Sequence, residues 1–345
     1  MRIAYIGPNW GTSRHRADAL QRLGHNVGLV DPWDCLGHSQ WVGRWIHHAG
    51  AVGVHLVIDE PLFRQVRQSK PELVWVNQGE FLGPKLLQRL RTLSVPIVNY
   101  TNDDPFGGYQ NGRRFRPYLK ALPYYDLVAV VRELNVREAI DHGARRAVRV
   151  FMSADEVAHH PRETTPEDRR RYASEVAFVG TWTPERGSFM AELIRLGLPL
   201  SIWGDRWHKA REWPKLKPHW RGPGLHDERY ATVILSAKVL LGLLSKANRD
   251  LHTQRSMEIP ALGAVLCAER TSEHLSLYDE GVEAVFWSTP EECAAACRHL
   301  LANDAYRHSV ARRGRERLQR NGHYNEQVLA AILRQVVGRV AESIR

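Results

Sequence analysis

Charged and hydroxyl-bearing residues gather directly ahead of the apolar run 259–267. They are Asp250, Thr253, Arg255 and Glu258. Pro260 is tolerated in the first turn of a helix and Gly263 ends one, so the pattern predicts a helix beginning near Pro260 and a strand at 264–267. Free N–H groups at a helix N-terminus favour anions, which makes the four polar residues candidates for an anion-binding site. A capped helix whose charges are simply solvated would have the same pattern.

A second candidate anion site follows the predicted strand at 175–180. Gly180 and Thr181 end this strand, and Arg186 stands at the start of the next helix. A strand that ends in a glycine-containing loop, with a basic residue at the following helix start, can cradle a phosphate group. The next predicted strand, 200–203, also ends in a glycine, Gly204.

Polar loops follow strands in the first half of the chain as well. Asp103 and Asp104 come directly after a strand at 96–100, where a carboxylate that acts as a base or binds hydroxyl groups is expected. Asp-Asp-Pro is also an ordinary turn sequence. The loop 9–14, after the first strand, is a further candidate ligand contact. This loop lacks the glycine spacing of a dinucleotide-binding site.

Strands and helices alternate along the chain, which predicts doubly wound parallel sheets. A polar, proline-containing stretch without an apolar period interrupts the alternation. We therefore expect one domain at 1–155, a linker at 156–174, a second domain at 175–324 and a final helix at 325–345 that packs back across the domains. A helix is also predicted around 41–49.

Composition sets the broad class of protein. The chain has 345 residues, 43% of them hydrophobic, and no apolar run approaches the ~20 residues of a membrane span. Four cysteines are too few for a disulfide framework and no secretory signal is visible, so a cytoplasmic protein is expected. The net charge of +10 is compatible with contact with anionic surfaces. No nucleic-acid-binding module accompanies this charge, so nucleic acid is not an expected partner.

Several motifs together resemble one enzyme family over nearly the whole chain. They are Ala19–Val27, Lys70–Val74, Asn102–Asp104, Tyr125–Val128, Phe178–Thr181 with Glu185-Arg186, and Asp250–Gly263. These motifs resemble the GT-B glycosyltransferases, specifically their CgeB-like branch of the spore-maturation-protein type. The resemblance implies an α/β fold with two Rossmann-like domains that face each other across a cleft.

The resemblance also implies roles for individual residues. Glu258 corresponds to the residue that accepts hydrogen bonds from the ribose hydroxyls of the donor. Asp250, separated from it by seven residues, stands where glutamate is commoner, which leaves its role toward the donor sugar open. Arg186 corresponds to the residue that neutralises the diphosphate, and Lys246 lies in a loop that approaches it. The donor site implied comprises Gly180, Thr181, Arg186, Gly204, Lys246, Asp250, Thr253, Arg255 and Glu258.

The sequence thus predicts a glycosyltransferase that uses a UDP-, GDP- or dTDP-sugar, requires no metal or other cofactor, and acts on an unidentified acceptor. If the enzyme inverts, a base of the N-terminal domain deprotonates the acceptor, and the candidates are Asp103, Asp104 and His15. If it retains, no such base is required. Gly11, Thr12 and Arg14 are the candidate contacts on the acceptor side. A nucleotide-sugar 2-epimerase of the same fold and a non-catalytic nucleotide-binding scaffold are the alternatives.

Overall fold

The computed structural model describes residues 1–37, 53–107 and 114–340. The chain divides into two units. The first unit comprises Met1–Met152, Lys246–Asp250 and the chain from Asn325 onward, and the second comprises Ser153–Ser245 and Leu251–Tyr324. The helix predicted around 41–49 lies outside the described residues, as does 341–345.

The first unit is built on a parallel sheet of six strands in the order β2-β1-β3-β4-β5-β6. The strands are β1 Arg2–Ile6, β2 Asn26–Val30, β3 Leu73–Asn77, β4 Ile97–Thr101, β5 Leu127–Val130 and β6 Ala147–Arg149. Every residue of β3, β4 and β5 is buried, as expected for parallel strands that are covered on both faces. The described residues of this unit up to β6 include the α-helices α1 Gly11–Arg22, α2 His55–Gln68, α3 Pro84–Arg91, α4 Arg116–Ala121 and α5 Glu133–Asp141.

The second unit has a parallel sheet of six strands in the order β12-β11-β10-β7-β8-β9. They are β7 Ser174–Val179, β8 Leu200–Trp203, β9 Trp220–Gly222, β10 Ala237–Gly242, β11 Leu266–Glu269 and β12 Val285–Trp287. Its helices are α6 Pro166–Tyr172, α7 Pro184–Arg195, α8 Trp213–Leu216, α9 Asp227–Leu235, α10 Gln254–Ala261, α11 Ser272–Leu277, α12 Pro290–Ala302 and α13 Asp304–Asn321.

The stretch 156–174, expected to be a linker, belongs to the second unit and contains α6. Thr165 and Asp168 form a capping box at the N-terminus of this helix. The Asp168 N–H donates to Thr165 Oγ1 over 3.0 Å, and the Asp168 carboxylate accepts from the Thr165 N–H. A short exposed helix with this capping arrangement needs no apolar period. This is why the polar composition alone indicated a linker.

The last helix, α14 Asn325–Val340, is counted with the first unit and packs on α1. An ion pair of 2.6 Å between Arg22 and Glu326 joins the two helices. Among the described residues, every helix is too short or too polar to cross a membrane.

Helix α10 differs from the prediction in where it begins. It starts at Gln254, so Pro260 lies inside the helix and not in its first turn. A proline there removes the hydrogen bond to the carbonyl four residues earlier, which is that of Ser256. The hydroxyl of the buried Tyr278 donates to this carbonyl over 2.7 Å and satisfies it. The predicted glycine stop is present, because Gly263 has a φ of 78° and its N–H bonds back to the carbonyl of Pro260.

Candidate functional site

Two arginine side chains meet at the carboxyl end of β7. Arg186, in the first turn of α7, donates to the carbonyl of Thr181 over 2.8 Å. Arg255, in the first turn of α10, donates through Nε to the carbonyl of Val179. The two guanidinium carbons lie 5.5 and 6.0 Å from the centroid of the Phe178 ring. Two positive charges are therefore concentrated beside one ring, on two different helices.

The N-terminus of α7 lies at the same place. The helix begins at Pro184, and no side chain caps it. Thr183, the residue at the cap position, has a buried hydroxyl that makes no hydrogen bond within the described residues. Exposed N–H groups of a first turn favour an anion, and the adjacent arginine charges add to this preference. Gly180, Thr181 and Arg186 thus form part of an arrangement suited to a phosphate group.

Two glycines allow the loops at this edge of the sheet to approach each other. A Cβ on Gly204 would lie 1.9 Å from the carbonyl oxygen of Gly180, and Gly204 has a φ of 146°. Any other residue would push the two loops apart. The carbonyl of Gly180 also accepts a hydrogen bond from the Trp207 indole over 2.9 Å. The predicted pair Gly180 and Gly204 therefore shapes the loops through their backbones.

Glu258 is buried on α10, with 5% of its surface exposed. Its Oε2 accepts a hydrogen bond of 2.5 Å from the hydroxyl of Tyr230. Burial and the neighbouring Glu258 carboxylate raise the pKa of Tyr230, so this hydroxyl keeps its proton and donates. A carboxylate has about four acceptor positions, so Glu258 retains capacity for ligand hydroxyl groups.

His159 faces the other oxygen of Glu258, with 3.5 Å between Nε2 and Oε1. Its Nδ1 accepts from the N–H of Asp155 over 2.8 Å, so the ring carries a proton on the nitrogen that faces Glu258. His159 belongs to the stretch 156–174 that was expected to be a linker, but it is 4% exposed. Neither His159 nor Tyr230 had a local sequence signal, because their partner lies far along the chain.

The start of α10 is fixed by a chain of hydrogen bonds. Ser256 Oγ accepts from the N–H of Thr253 over 3.0 Å and contacts His274 Nε2 at 2.7 Å. His274 Nδ1 is 2.6 Å from the carbonyl of Glu269, which can only accept, so Nδ1 carries the proton and Nε2 accepts from Ser256. Burial lowers the pKa of His274 to about 4, and the bond to the Glu269 carbonyl offsets this only in part. Thr253 therefore caps the N-terminus of α10.

Lys246 and Asp250 belong to the first unit, whereas Arg186, Arg255 and Glu258 belong to the second. Asp250 is buried and pairs with the buried Arg132 of the loop before α5. Asp250, the first acidic residue of the Asp-x7-Glu spacing, is thus held in an ion pair with Arg132. Lys246 is exposed.

The three candidate bases have different surroundings. The side chain of Asp104 is fully buried and paired with Arg249 over 2.5 Å. It also accepts from the amide of Asn135 over 3.1 Å. An acceptor hydroxyl cannot reach a carboxylate that is enclosed and paired in this way. Asp103 keeps partial exposure, at 3.4 Å from Arg114. His15 is half-buried on α1.

A cavity of about 240 Å³ opens at the carboxyl ends of β1 and β3 in the first unit. Its walls include Trp10, Trp33 and Phe81, and its polar lining includes Asn77, Glu80 and Arg114. Trp10 directly precedes α1, so the predicted contacts Gly11 and Thr12 follow a cavity residue in the chain. Arg14 instead pairs with Asp18 over 2.7 Å.

Glu80 is a carboxylate that the sequence reasoning missed. It pairs with Arg114 in the cavity lining. Burial raises the pKa of Glu80, an effect that Arg114 opposes and Asp103 reinforces. Glu80 follows β3 by three residues, so the rule that selected Asp103, a polar residue after the carboxyl end of a strand, would have found it.

Among the described residues, one group of side chains has potential metal-ligand atoms close together: the Sγ atoms of Cys267, Cys293 and Cys297 lie within 4.8 Å of one another. All three are fully buried and pack in the hydrophobic core of the second unit. Hydrogen bonding within the cluster raises the pKa of the Cys267 thiol and lowers the pKa of the Cys297 thiol.

Comparisons with known proteins bear on both the fold and the second unit. Residues 186–334 match the protein family described as Glycosyl transferase-like. The matched part of the chain contains Arg186, Arg255 and Glu258. No curated protein matches the sequence.

Solved structures match nearly the whole chain at low identity. HepE of Anabaena in complex with UDP is 13% identical, with a TM-score of 0.65, over 97% of this chain and 100% of that one. Sucrose-phosphate synthase of Thermosynechococcus elongatus is 13% identical, with a TM-score of 0.69, over 99% and 100%. The α,α-trehalose 6-phosphate synthase of Burkholderia multivorans is 14% identical, with a TM-score of 0.63, over 100% and 98%. The predicted GT-B fold of two parallel α/β units is confirmed.

Proposed function

We propose that the chain is a glycosyltransferase that takes a sugar from a nucleoside-diphosphate-sugar, with the donor held by the second unit. The observation that carries the proposal is the pair Arg186 and Arg255 beside the uncapped N-terminus of α7. Both arginines lie in the part of the chain that matches the glycosyl transferase-like family. HepE has been crystallised with UDP and with UDP-glucose, so uridine is the first nucleoside to test.

The chemistry proposed is charge stabilisation. Breaking the bond from the anomeric carbon to the diphosphate leaves the negative charge on the departing group, and two fixed guanidinium groups stabilise that charge where it develops. No metal is needed in this scheme. The motif from Asp250 to Gly263 supports assignment to the CgeB-like branch, and a cytoplasmic location stays a prediction.

The first experiment measures what the full chain does to nucleotide sugars. Incubation with UDP-, GDP- and dTDP-sugars is expected to release one nucleoside diphosphate slowly, by transfer to water. An isomeric nucleotide sugar would instead indicate an epimerase. If calorimetry detects no binding of any of the three nucleoside diphosphates, the proposed function is refuted.

Arg186→Ala is expected to weaken UDP binding by about 2 kcal/mol and to leave uridine binding nearly unchanged, because only the diphosphate needs the guanidinium charge. Calorimetry with both ligands measures the difference. Arg195→Ala is the matched control, since Arg195 lies on the same helix with 67% of its side chain exposed and pairs with Glu192. Equal losses for UDP and uridine would mean that Arg186 supports the fold and does not bind the diphosphate.

Glu258→Gln is expected to weaken UDP binding by about 1–3 kcal/mol, because a charged acceptor of ribose hydroxyls is lost. Glutamine has the same shape and keeps an oxygen for the Tyr230 hydroxyl, while its NH2 group replaces the oxygen that faces the His159 N–H. UDP and 2′-deoxy-UDP should differ less in affinity for the variant than for the wild type. Unchanged UDP affinity would remove Glu258 from the donor site, and the exposed Glu291→Gln serves as the charge control.

A further inference from the structure

The cavity in the first unit combines flat aromatic surfaces with polar groups on its other residues. The Trp33 ring lies 5.3 Å from Phe81, edge to face, and 6.3 Å from Trp10. Trp10 is 46% exposed, which is unusual for a tryptophan that serves packing alone. Such surfaces are suited to a flat, partly apolar ligand.

The polar lining supplies several hydrogen-bonding groups. Asn77 is 4% exposed, and its Oδ1 accepts from the buried Arg16 over 3.2 Å. Asn77 lines the cavity, and its amide can offer a ligand a hydrogen-bond donor. Glu80 and Arg114 add a carboxylate and a guanidinium. One ligand would need several donors and acceptors of its own to use all three.

The charges of this lining do not favour an anionic ligand. Arg114 is paired with Glu80, and the nearest further charges, Asp103 at 3.4 Å from Arg114 and the buried Arg16 on Asn77, are one of each sign. A phosphate group would therefore meet no net positive charge here, whereas neutral hydroxyl groups need none. The cavity volume of about 240 Å³ is also below the roughly 300–1,000 Å³ typical of drug-sized ligands. A single ring fits this size.

We infer that this cavity binds the acceptor as a neutral pyranose ring, stacked on its tryptophans and held through its hydroxyl groups by Asn77, Glu80 and Arg114. The identification of the bound sugar as the acceptor rests on the proposed transferase function, whereas the existence of a sugar-binding site does not. It gives the acceptor substrate a chemical class, an uncharged sugar. Glu80 is placed as a residue that accepts a hydrogen bond from an acceptor hydroxyl.

The test measures sugar binding to the full chain without nucleotide. Methyl glucoside, galactoside, mannoside and N-acetylglucosaminide are titrated by calorimetry and by saturation-transfer NMR. At least one is expected to bind, and Trp10→Leu should weaken it roughly tenfold while UDP affinity stays unchanged. Glu80→Gln should also weaken it. Phe63→Leu is the matched control, because Phe63 is a half-buried aromatic of the same unit that does not line the cavity.

The outcomes separate this inference from the proposed function. If UDP binds but none of the pyranosides does, the sugar site is refuted and the transferase proposal stands. If a pyranoside binds with Trp10-dependence but no nucleotide does, the sugar site stands and the transferase proposal falls. Binding of glucose 6-phosphate or of a phenol, without binding of the free pyranosides, would also overturn the inference.

Discussion

Replacing Arg249 with methionine is expected to lower the free energy of unfolding by about 3–5 kcal/mol. Arg249 donates to both oxygens of Asp104, over 2.5 and 2.8 Å, and to both oxygens of Glu138 over 2.9 Å. The Asp104 side chain is fully buried. Removing Arg249 leaves the buried Asp104 carboxylate with neutral hydrogen-bond donors only and no opposite charge, and this costs far more than the pair itself contributes.

Urea unfolding of the full chain measures the effect, and a second substitution tests its cause. Adding Asp104→Asn to Arg249→Met removes the uncompensated charge, so much of the lost stability should return. Arg312→Met is the matched control, because Arg312 and Glu316 form an exposed pair on one helix, where a loss under about 0.5 kcal/mol is expected. A loss for Arg249→Met as small as the control's would contradict the account.

The order of strands and helices could be predicted because each element is indicated by residues within its own stretch of sequence. Apolar runs such as β3 are short and bounded by polar loops, and Gly263 marks the end of a helix in its own sequence. The start of α10 could not be predicted in this way. A proline in a helix interior normally argues against the helix, and the hydroxyl that compensates for it comes from Tyr278, 22 residues away from Ser256.

The candidate site was predicted in part for the same reason. Gly180 and Arg186 belong to a local strand-loop-helix pattern, and the structure has Arg186 in the first turn of the helix that follows this loop. Its position beside Arg255, which lies 69 residues further along the chain, had no local signal. Asp104 had an equally good local pattern, yet its partner Arg249 is 145 residues away and takes up its charge. Pairings over such distances depend on the fold, so one sequence cannot distinguish a carboxylate that is free to react from one that is not.

Lowering the pH from 6.5 to 4 is expected to reduce the free energy of unfolding through His274. This ring has an ordinary pKa of 6.5 in the unfolded chain and a pKa of about 4 in the folded one. Between these values the unfolded state binds a proton that the folded state does not. The stabilisation is therefore complete above pH 6.5 and is lost as the pH falls, by about 1.4 kcal/mol per unit and about 3 kcal/mol in all.

The comparison that isolates this contribution is the slope of unfolding free energy against pH, in the wild type and in His274→Gln. Glutamine can still donate to the Glu269 carbonyl and accept from Ser256, but it does not titrate in this range. Its slope between pH 6.5 and 4 should therefore be flatter by about one proton, whatever its stability at pH 7. Parallel slopes would show that His274 already carries its proton in the folded state. Because the folded ring takes up its proton only near pH 4, an effect on UDP affinity through Ser256 and the Glu258 helix should appear only as the pH approaches 4, well below the range in which stability is lost.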